Sequence, residues 1–97
     1  MSTTHDIPDY SAWARDDLIT ETTRLALEVG EAENRGWDKR AVLCREKYHQ
    51  AMAALIALST PFDRFAARRA EATREGHLIE AARLRRERLG VNGEVPA

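Results

Sequence analysis

Two stretches of the chain decide its fold: Asn34-Arg35-Gly36-Trp37-Asp38 and Ser59-Thr60-Pro61-Phe62-Asp63. Each has the composition of a helix end followed by a helix start. In the first stretch, Asn34 and Gly36 tolerate the left-handed conformation that ends many helices, and Asp38 is a good N-cap for the next one. Because this link is short, we expect the helices on either side to be antiparallel neighbours.

The second stretch predicts a third helix that begins at about Pro61. Thr60 serves as its cap, proline is favoured at the first helical position, and Asp63 completes a capping-box-like pair. Gly76 then either ends this helix, leaving a short fourth one, or lies within one long bent helix; we favour the break. The fold class is all-α, an antiparallel bundle of three helices, or four if the last breaks at Gly76.

Apolar side chains recur at intervals of three and four residues in the first two segments, which is the period of an amphipathic helix. We expect the first helix to start near Asp9, run to about Glu33 and face a partner helix with Ala14, Leu18, Thr22, Leu25, Val29 and Ala32. The second stripe consists of Ala41, Cys44, Tyr48, Ala51, Leu55 and Leu58. Together they predict a coiled-coil-like hairpin with the second helix at the centre of the fold.

The third segment has a thinner and more polar stripe. It contains Phe62, Phe65, Ala66, Arg69 and Thr73, and it continues through Leu78, Ala82, Arg85 and Leu89. Two arginines on this face would have to reach water or find carboxylates on a neighbouring helix. We expect the acidic first helix to supply those carboxylates.

Length and composition indicate one small domain. Residues 1–8 read as a flexible leader, residues 9–90 as a single helical domain and residues 91–97 as a flexible tail. Hydrophobic residues make up 43% of the chain, but many are alanines, and there are only two Phe, two Trp and two Tyr. A chain of this size buries too little surface to be very stable alone, so we expect help from a second copy or a partner.

The sequence gives no sign of a secreted or membrane-embedded protein. Cys44 is the single cysteine and no signal-peptide pattern is present, so a reducing cytoplasm is the default. The longest purely apolar stretch, 51–58, is far shorter than a membrane span.

Charge is distributed unevenly, although the net charge is only −1. Residues 1–37 hold eight acidic and three basic side chains, residues 38–58 hold two and four, and residues 59–97 hold six and eight. The first helix can therefore neutralise the two later segments, either within one chain or between two.

The segment Leu25-Ala26-Leu27-Glu28-Val29-Gly30-Glu31-Ala32-Glu33 resembles the glutamate motif of the all-alpha nucleoside triphosphate pyrophosphohydrolases of the MazG type. That family carries Glu-Glu-x-x-Glu on one helix and Glu-x-x-Asp on the next, and the similarity covers roughly residues 25–58. Carboxylate oxygens of this kind suit magnesium or manganese.

The resemblance implies a magnesium site that uses Glu28, Glu31, Glu46 and His49. Glu28 and Glu31 match the second and third glutamates of the first motif, and Glu46 matches the glutamate of the second. This chain departs from the pattern at two positions, since Leu27 replaces the first glutamate and His49 stands in place of the aspartate. The ordinary alternative is that these side chains form the solvated faces of amphipathic helices.

Arginines dominate the last segment and suggest contacts to phosphates or to an acidic partner. Glutamates alternate with them, a pattern more typical of a salt-bridged, solvated helix surface. We expect an interaction surface made of Phe62, Phe65, Arg69, Arg83, Arg85 and Arg86.

The favoured function is a non-enzymatic interaction or assembly module that acts through protein–protein contacts and self-associates as a homo-oligomer, without a cofactor. The first alternative is a diverged magnesium-dependent pyrophosphohydrolase of the MazG type. The second is an accessory protein that binds nucleic acid through the arginine-rich last helix.

Overall fold

The structure, a computed structural model, describes residues 7–90, and within them every regular element is helical. A short 3-10 turn, Tyr10–Ala12, precedes three α-helices: α1 at Arg15–Asn34, α2 at Asp38–Ala57 and α3 at Arg64–Leu89. The predicted all-α antiparallel bundle of three helices is confirmed. None of these helices is long and apolar enough to cross a membrane. The predicted tail and most of the predicted leader lie outside the described residues.

The first helix starts later than predicted. Asp9 caps the 3-10 turn by accepting a hydrogen bond from Ser11 N at 3.1 Å, and α1 begins only at Arg15. Extended backbone at Trp13 and Ala14 separates the turn from the helix. The turn carries Tyr10 into the core, where its hydroxyl donates to Glu21 Oε2 at 2.8 Å.

The α1–α2 link is a Schellman turn. Gly36 has a φ of 71°, and its N–H donates to Glu33 O at 3.2 Å while Trp37 N–H donates to Ala32 O at 2.8 Å. The predicted cap by Asp38 is wrong by one residue. Trp37 takes the capping position without a side-chain hydrogen bond, and Asp38 lies in the first turn of α2. There its charge still favours the positive end of the helix dipole.

The start of α3 is set by Asp63, whose side chain accepts a hydrogen bond from Ala66 N at 2.8 Å. The predicted start at Pro61 with Thr60 as cap is therefore three residues too early. The favoured break at Gly76 is also wrong, because α3 continues through this glycine to Leu89 and ends at Gly90, which has a φ of 72°. A single glycine weakens a helix by only about 1 kcal/mol, too little to outweigh the packing on both sides of it.

The α1–α2 hairpin contains the main core. Leu18 and Leu25 of α1 pack with Cys44 and Ala51 of α2, and Tyr10 from the 3-10 turn completes this buried cluster. Two ends of the predicted stripes fall outside it, since Ala14 and Leu58 are exposed. Ala14 is the N-cap of α1 and Leu58 the C-cap of α2, so both lie at the open end of the hairpin.

Helix α2 lies between the other two helices, as predicted. Cys44 faces α1, whereas Glu46, two residues later and about 200° further around the helix, contacts α3. Within the described residues, α2 packs extensively against both neighbours, whereas α1 and α3 do not pack extensively against each other. The two outer helices therefore flank α2 on nearly opposite sides.

The inward face of α3 differs from the predicted stripe. Ala81 and Leu84 are buried, and His77 and Arg88 also point towards α2. Of the predicted stripe only Ala66 is half-buried, and the exposed members are Phe62, Phe65, Arg69, Thr73, Leu78, Ala82, Arg85 and Leu89. The apolar period of α3 is weak, so polar pairing with α2 decides which side turns inward.

Candidate functional site

The glutamates of the predicted magnesium site pair with arginines. Glu28 pairs with Arg24 at 2.6 Å on its own helix and with Arg40 of α2. Glu31 is exposed and lies 3.3 Å from Arg35. These are ordinary surface ion pairs, and the Arg40 pair also ties α1 to α2.

Glu46 and His49 lie on the side of α2 that faces α3, away from Glu28 and Glu31. The two helices thus split the predicted ligand set into two pairs on different sides of α2. No group of three or more His, Cys, Asp or Glu side chains within residues 7–90 is placed to share a metal ion. In the structure, Glu46 and His49 instead contact residues of α3. The sequence analysis did not predict these contacts.

The first of these partners is Arg88. Its Nε donates to Glu46 Oε1 at 2.8 Å, and the Glu46 side chain is only 1% exposed. A buried carboxylate needs a cation and hydrogen bonds to offset its loss of hydration. The pair therefore fixes the C-terminal part of α3 against the first half of α2.

The second partner is His77. Its Nδ1 lies 2.8 Å from Nδ1 of His49, and the ring centroids are 5.1 Å apart. The Tyr48 ring meets both imidazoles edge-on. One Nδ1 must donate a hydrogen and the other must accept it, so at least one of the two rings is neutral in this arrangement.

The electrostatic surroundings of His49 favour its neutral form. Burial lowers its pKa most, followed by the positive field of His77, while Glu80 acts in the opposite direction and Arg83 adds to the lowering. The α2–α3 contact thus contains a histidine, His49, whose neutral form is favoured by its surroundings.

Cys44 shows no sign of catalytic activation. It is buried in the α1–α2 core, and burial, reinforced by the nearby Glu28 charge, raises the pKa of its thiol. A nucleophilic cysteine needs the opposite shift, towards the thiolate. Cys44 therefore acts as a small core residue.

The outward face of α3 carries large apolar side chains that are mostly exposed. Phe65 is 70% exposed and Ile79 is 69% exposed, and they lie four turns apart on the same side of the helix. Phe62, just before the helix, is 93% exposed. The sequence predicted Phe62 and Phe65 as interaction residues but missed Ile79, which the fourteen-residue spacing from Phe65 could have revealed.

All four predicted interaction arginines are exposed. Arg83 is engaged by Glu80 and Glu87 on its own helix, as the alternating charges suggested. Among residues 7–90, α3 also has arginines without an ion pair: Arg64, Arg68, Arg69, Arg85 and Arg86. The expected carboxylates from α1 do not reach Arg69 or Arg85, because α1 lies on the other side of α2.

The outward face of α1 has an apolar centre as well. Leu27 is 72% exposed and Ile19 is partly exposed. A shallow depression beside Leu27 is lined by Ala26, Gly30, Glu31, Asn34 and Arg35. This face points away from α2, since Leu27 lies about 200° around α1 from the buried Leu25.

No protein-family model, curated protein or solved structure matches this chain. The class of protein that the structure itself defines is a small all-helical bundle whose two outer helices carry exposed apolar side chains among charged ones. Its two polar pairs hold α3 to α2.

Proposed function

We propose that this protein is a helical interaction module that works by self-association. The main support for this proposal is that several large apolar side chains are exposed while small ones are buried. The chain has two phenylalanines and both are exposed, whereas alanines form half of the buried apolar core. Large apolar side chains are normally the first to be buried, and contiguous exposed ones mark interaction sites.

Most of the large exposed apolar side chains lie on the outer helices. Phe65 and Ile79 share one side of α3, and Leu27 and Ile19 belong to the outward surface of α1. Covering one fully exposed side chain of this size is worth about 1.5–3 kcal/mol. A second copy that covers these faces would add stability that the small internal core does not supply.

Light scattering and analytical ultracentrifugation across a wide dilution range test this proposal. We expect species larger than the 11.0 kDa chain at high concentration, with dissociation on dilution and a melting temperature that rises with concentration. The double variant Phe65→Gln/Ile79→Gln should shift the equilibrium towards monomer. Leu89→Gln, which removes an exposed leucine on another side of α3, is the matched control. A compact monomer at every concentration would refute self-association.

Binding of nucleic acid through α3 is the second candidate, favoured by the arginines that have no ion pair. Such a contact would weaken steeply with salt because phosphate neutralisation releases counterions. Fluorescence anisotropy with duplex DNA and single-stranded RNA, at several salt concentrations, tests it. Arg85→Gln/Arg86→Gln should reduce both the affinity and the salt slope if this candidate is correct.

The pyrophosphohydrolase stays a prediction from the sequence, and the ion pairs of Glu28 and Glu46 do not favour it. Magnesium-dependent release of pyrophosphate from nucleoside triphosphates, lost in Glu28→Ala, would establish it. Glu33→Ala, which removes a neighbouring carboxylate outside the matched motif positions, is the control.

A further inference from the structure

We infer that the module assembles head to tail, with the outward face of α1 in one copy packed against the outward face of α3 in the next. This inference rests on the proposed self-association and specifies its geometry. The α1 face is defined by Ile19, Leu27 and Gly30, and the α3 face by Phe65, Gly76 and Ile79.

Charge complementarity selects this pairing over a contact between two identical faces. Helix α1 holds six acidic and two basic side chains, whereas α3 holds eight arginines and four glutamates. Two α3 faces brought together would place arginine against arginine, and two α1 faces would repel in the same way. An α1–α3 contact places opposite charges beside a shared apolar seam.

The fold prevents these charges from meeting within one molecule. Helix α2 separates α1 from α3, and no ion pair joins the two outer helices among residues 7–90. The acids of α1 that do reach another helix reach α2, through Glu28–Arg40 and Glu33–Arg45. Arg68, Arg69 and Arg86 flank the α3 seam without partners, and Asp16 of α1 also has none. The unpaired arginines of α3 are therefore available to the acidic α1 face of a second copy.

The two faces also differ in shape in a complementary way. Phe65 and Ile79 protrude from α3, whereas α1 offers the depression beside Leu27 and Gly30. Neither Gly30 nor Gly76 needs to be glycine for packing inside the chain, because an added Cβ would meet no atom within 4 Å at either position. Each costs its helix about 1 kcal/mol relative to alanine. In the proposed assembly, both glycines allow a helix of another copy to approach closely.

The geometry makes the assembly open-ended. The two faces point in nearly opposite directions from α2. A dimer therefore contains one α1–α3 contact and leaves an α1 face unused at one end and an α3 face unused at the other. Such heterologous contacts form rings when the rotation closes and linear chains when it does not. The species should therefore grow beyond a dimer as concentration rises.

Two single-face variants test the inference by mixing. Phe65→Gln/Ile79→Gln disables the α3 face and keeps α1 intact, whereas Leu27→Gln disables the α1 face and keeps α3 intact. Glutamine is neutral and a good helix former, and all three sites are exposed, so folding should be preserved and is checked by circular dichroism. Leu89→Gln serves as the control for loss of an exposed apolar side chain.

We expect each variant alone to be monomeric at a concentration where the wild type and Leu89→Gln associate. An equimolar mixture should form a heterodimer that does not grow further, since the intact α1 face of one variant binds the intact α3 face of the other. A mixture that stays monomeric, or a variant that associates alone as well as the wild type, overturns head-to-tail packing but leaves self-association standing. A wild type that is monomeric throughout overturns both.

Discussion

Glu46 and Arg88 form the most deeply buried ion pair among the described residues, and the cost of breaking it is asymmetric. Arg88→Leu leaves the Glu46 carboxylate without its cation in a site that is 1% exposed. We expect a loss of about 3 kcal/mol in the free energy of unfolding, measured by urea denaturation. Arg85→Leu removes an exposed, unpaired arginine from the same helix and should change stability by less than about 0.5 kcal/mol.

The double variant Glu46→Leu/Arg88→Leu distinguishes the cost of an unpaired buried charge from the contribution of side-chain packing. It removes both charged groups, so no uncompensated carboxylate stays buried, and we expect it to recover most of the stability that Arg88→Leu loses. If the double variant were less stable than the single one, the pair would contribute more than mutual neutralisation.

The His49–His77 pair predicts a loss of stability at mildly acidic pH. The folded state lowers the pKa of His49 by burial and by the charge of His77, whereas the unfolded chain binds a proton near the ordinary value of about 6.5. The unfolded state therefore binds more protons in this range, and stability falls as pH falls through about 6.5. Glu80 opposes this effect and Arg83 strengthens it.

Urea midpoints measured between about pH 8 and pH 5.5 check this prediction. The midpoint should decrease towards acid in the wild type, and His49→Gln should flatten the dependence because it removes the group whose pKa the fold lowers. His5, which lies outside the described residues, is kept in every variant so that its titration cancels. An equally steep decrease in His49→Gln would assign the pH dependence to other groups.

At the level of the helices, the start of α3 has two candidate N-cap residues, Thr60 and Asp63. Asp63 accepts the backbone hydrogen bond of Ala66, whereas Thr60 makes no hydrogen bond among the described residues. Asp63→Ala should cost about 1 kcal/mol, which corresponds to a fall of roughly 4–8 °C in melting temperature for a domain of this size. Thr60→Ala should leave the melting temperature nearly unchanged. Equal effects would mean that the helix starts earlier.

The sequence predicted the parts of the fold that depend on local patterns. The intervals of three and four residues through Leu18, Leu25, Cys44 and Ala51 predicted the α1–α2 core, and Gly36 predicted the turn between these helices. These features could be predicted because a helix is recognised from its apolar stripe and from the residues that end it, and both are local in the sequence. The cap at Asp63 was missed because the proline at position 61 favoured an earlier start.

The orientation of α3 could not be predicted in the same way. Its inward face is decided by Arg88 and His77, whose partners Glu46 and His49 are 42 and 28 residues away in the chain. A helix rich in alanine and arginine has several possible faces of similar polarity, so a distant pairing selects one. The same reason explains why the predicted carboxylate set did not come together.

At the level of the whole molecule, the head-to-tail contact predicts a dependence on salt. The charges that flank the seam, Asp16 on α1 and Arg68, Arg69 and Arg86 on α3, lie on the outer helices, where salt screens them strongly. Raising NaCl from about 50 mM to about 1 M should weaken association roughly tenfold, since a few exposed ion pairs contribute up to about 1 kcal/mol each. Sedimentation equilibrium measures this change. Association that strengthens with salt would indicate a contact between like-charged or purely apolar faces.

The central position of α2 has a consequence for how the chain folds. Among the described residues, extensive contacts join only elements that follow one another closely along the chain, because the two outer helices do not pack extensively together. Formation of either hairpin requires closure of a short loop, which costs little chain entropy. Folds with such local contacts form in microseconds to milliseconds. The α1–α2 and α2–α3 hairpins can therefore nucleate independently, and folding has two parallel routes that meet on the same helix.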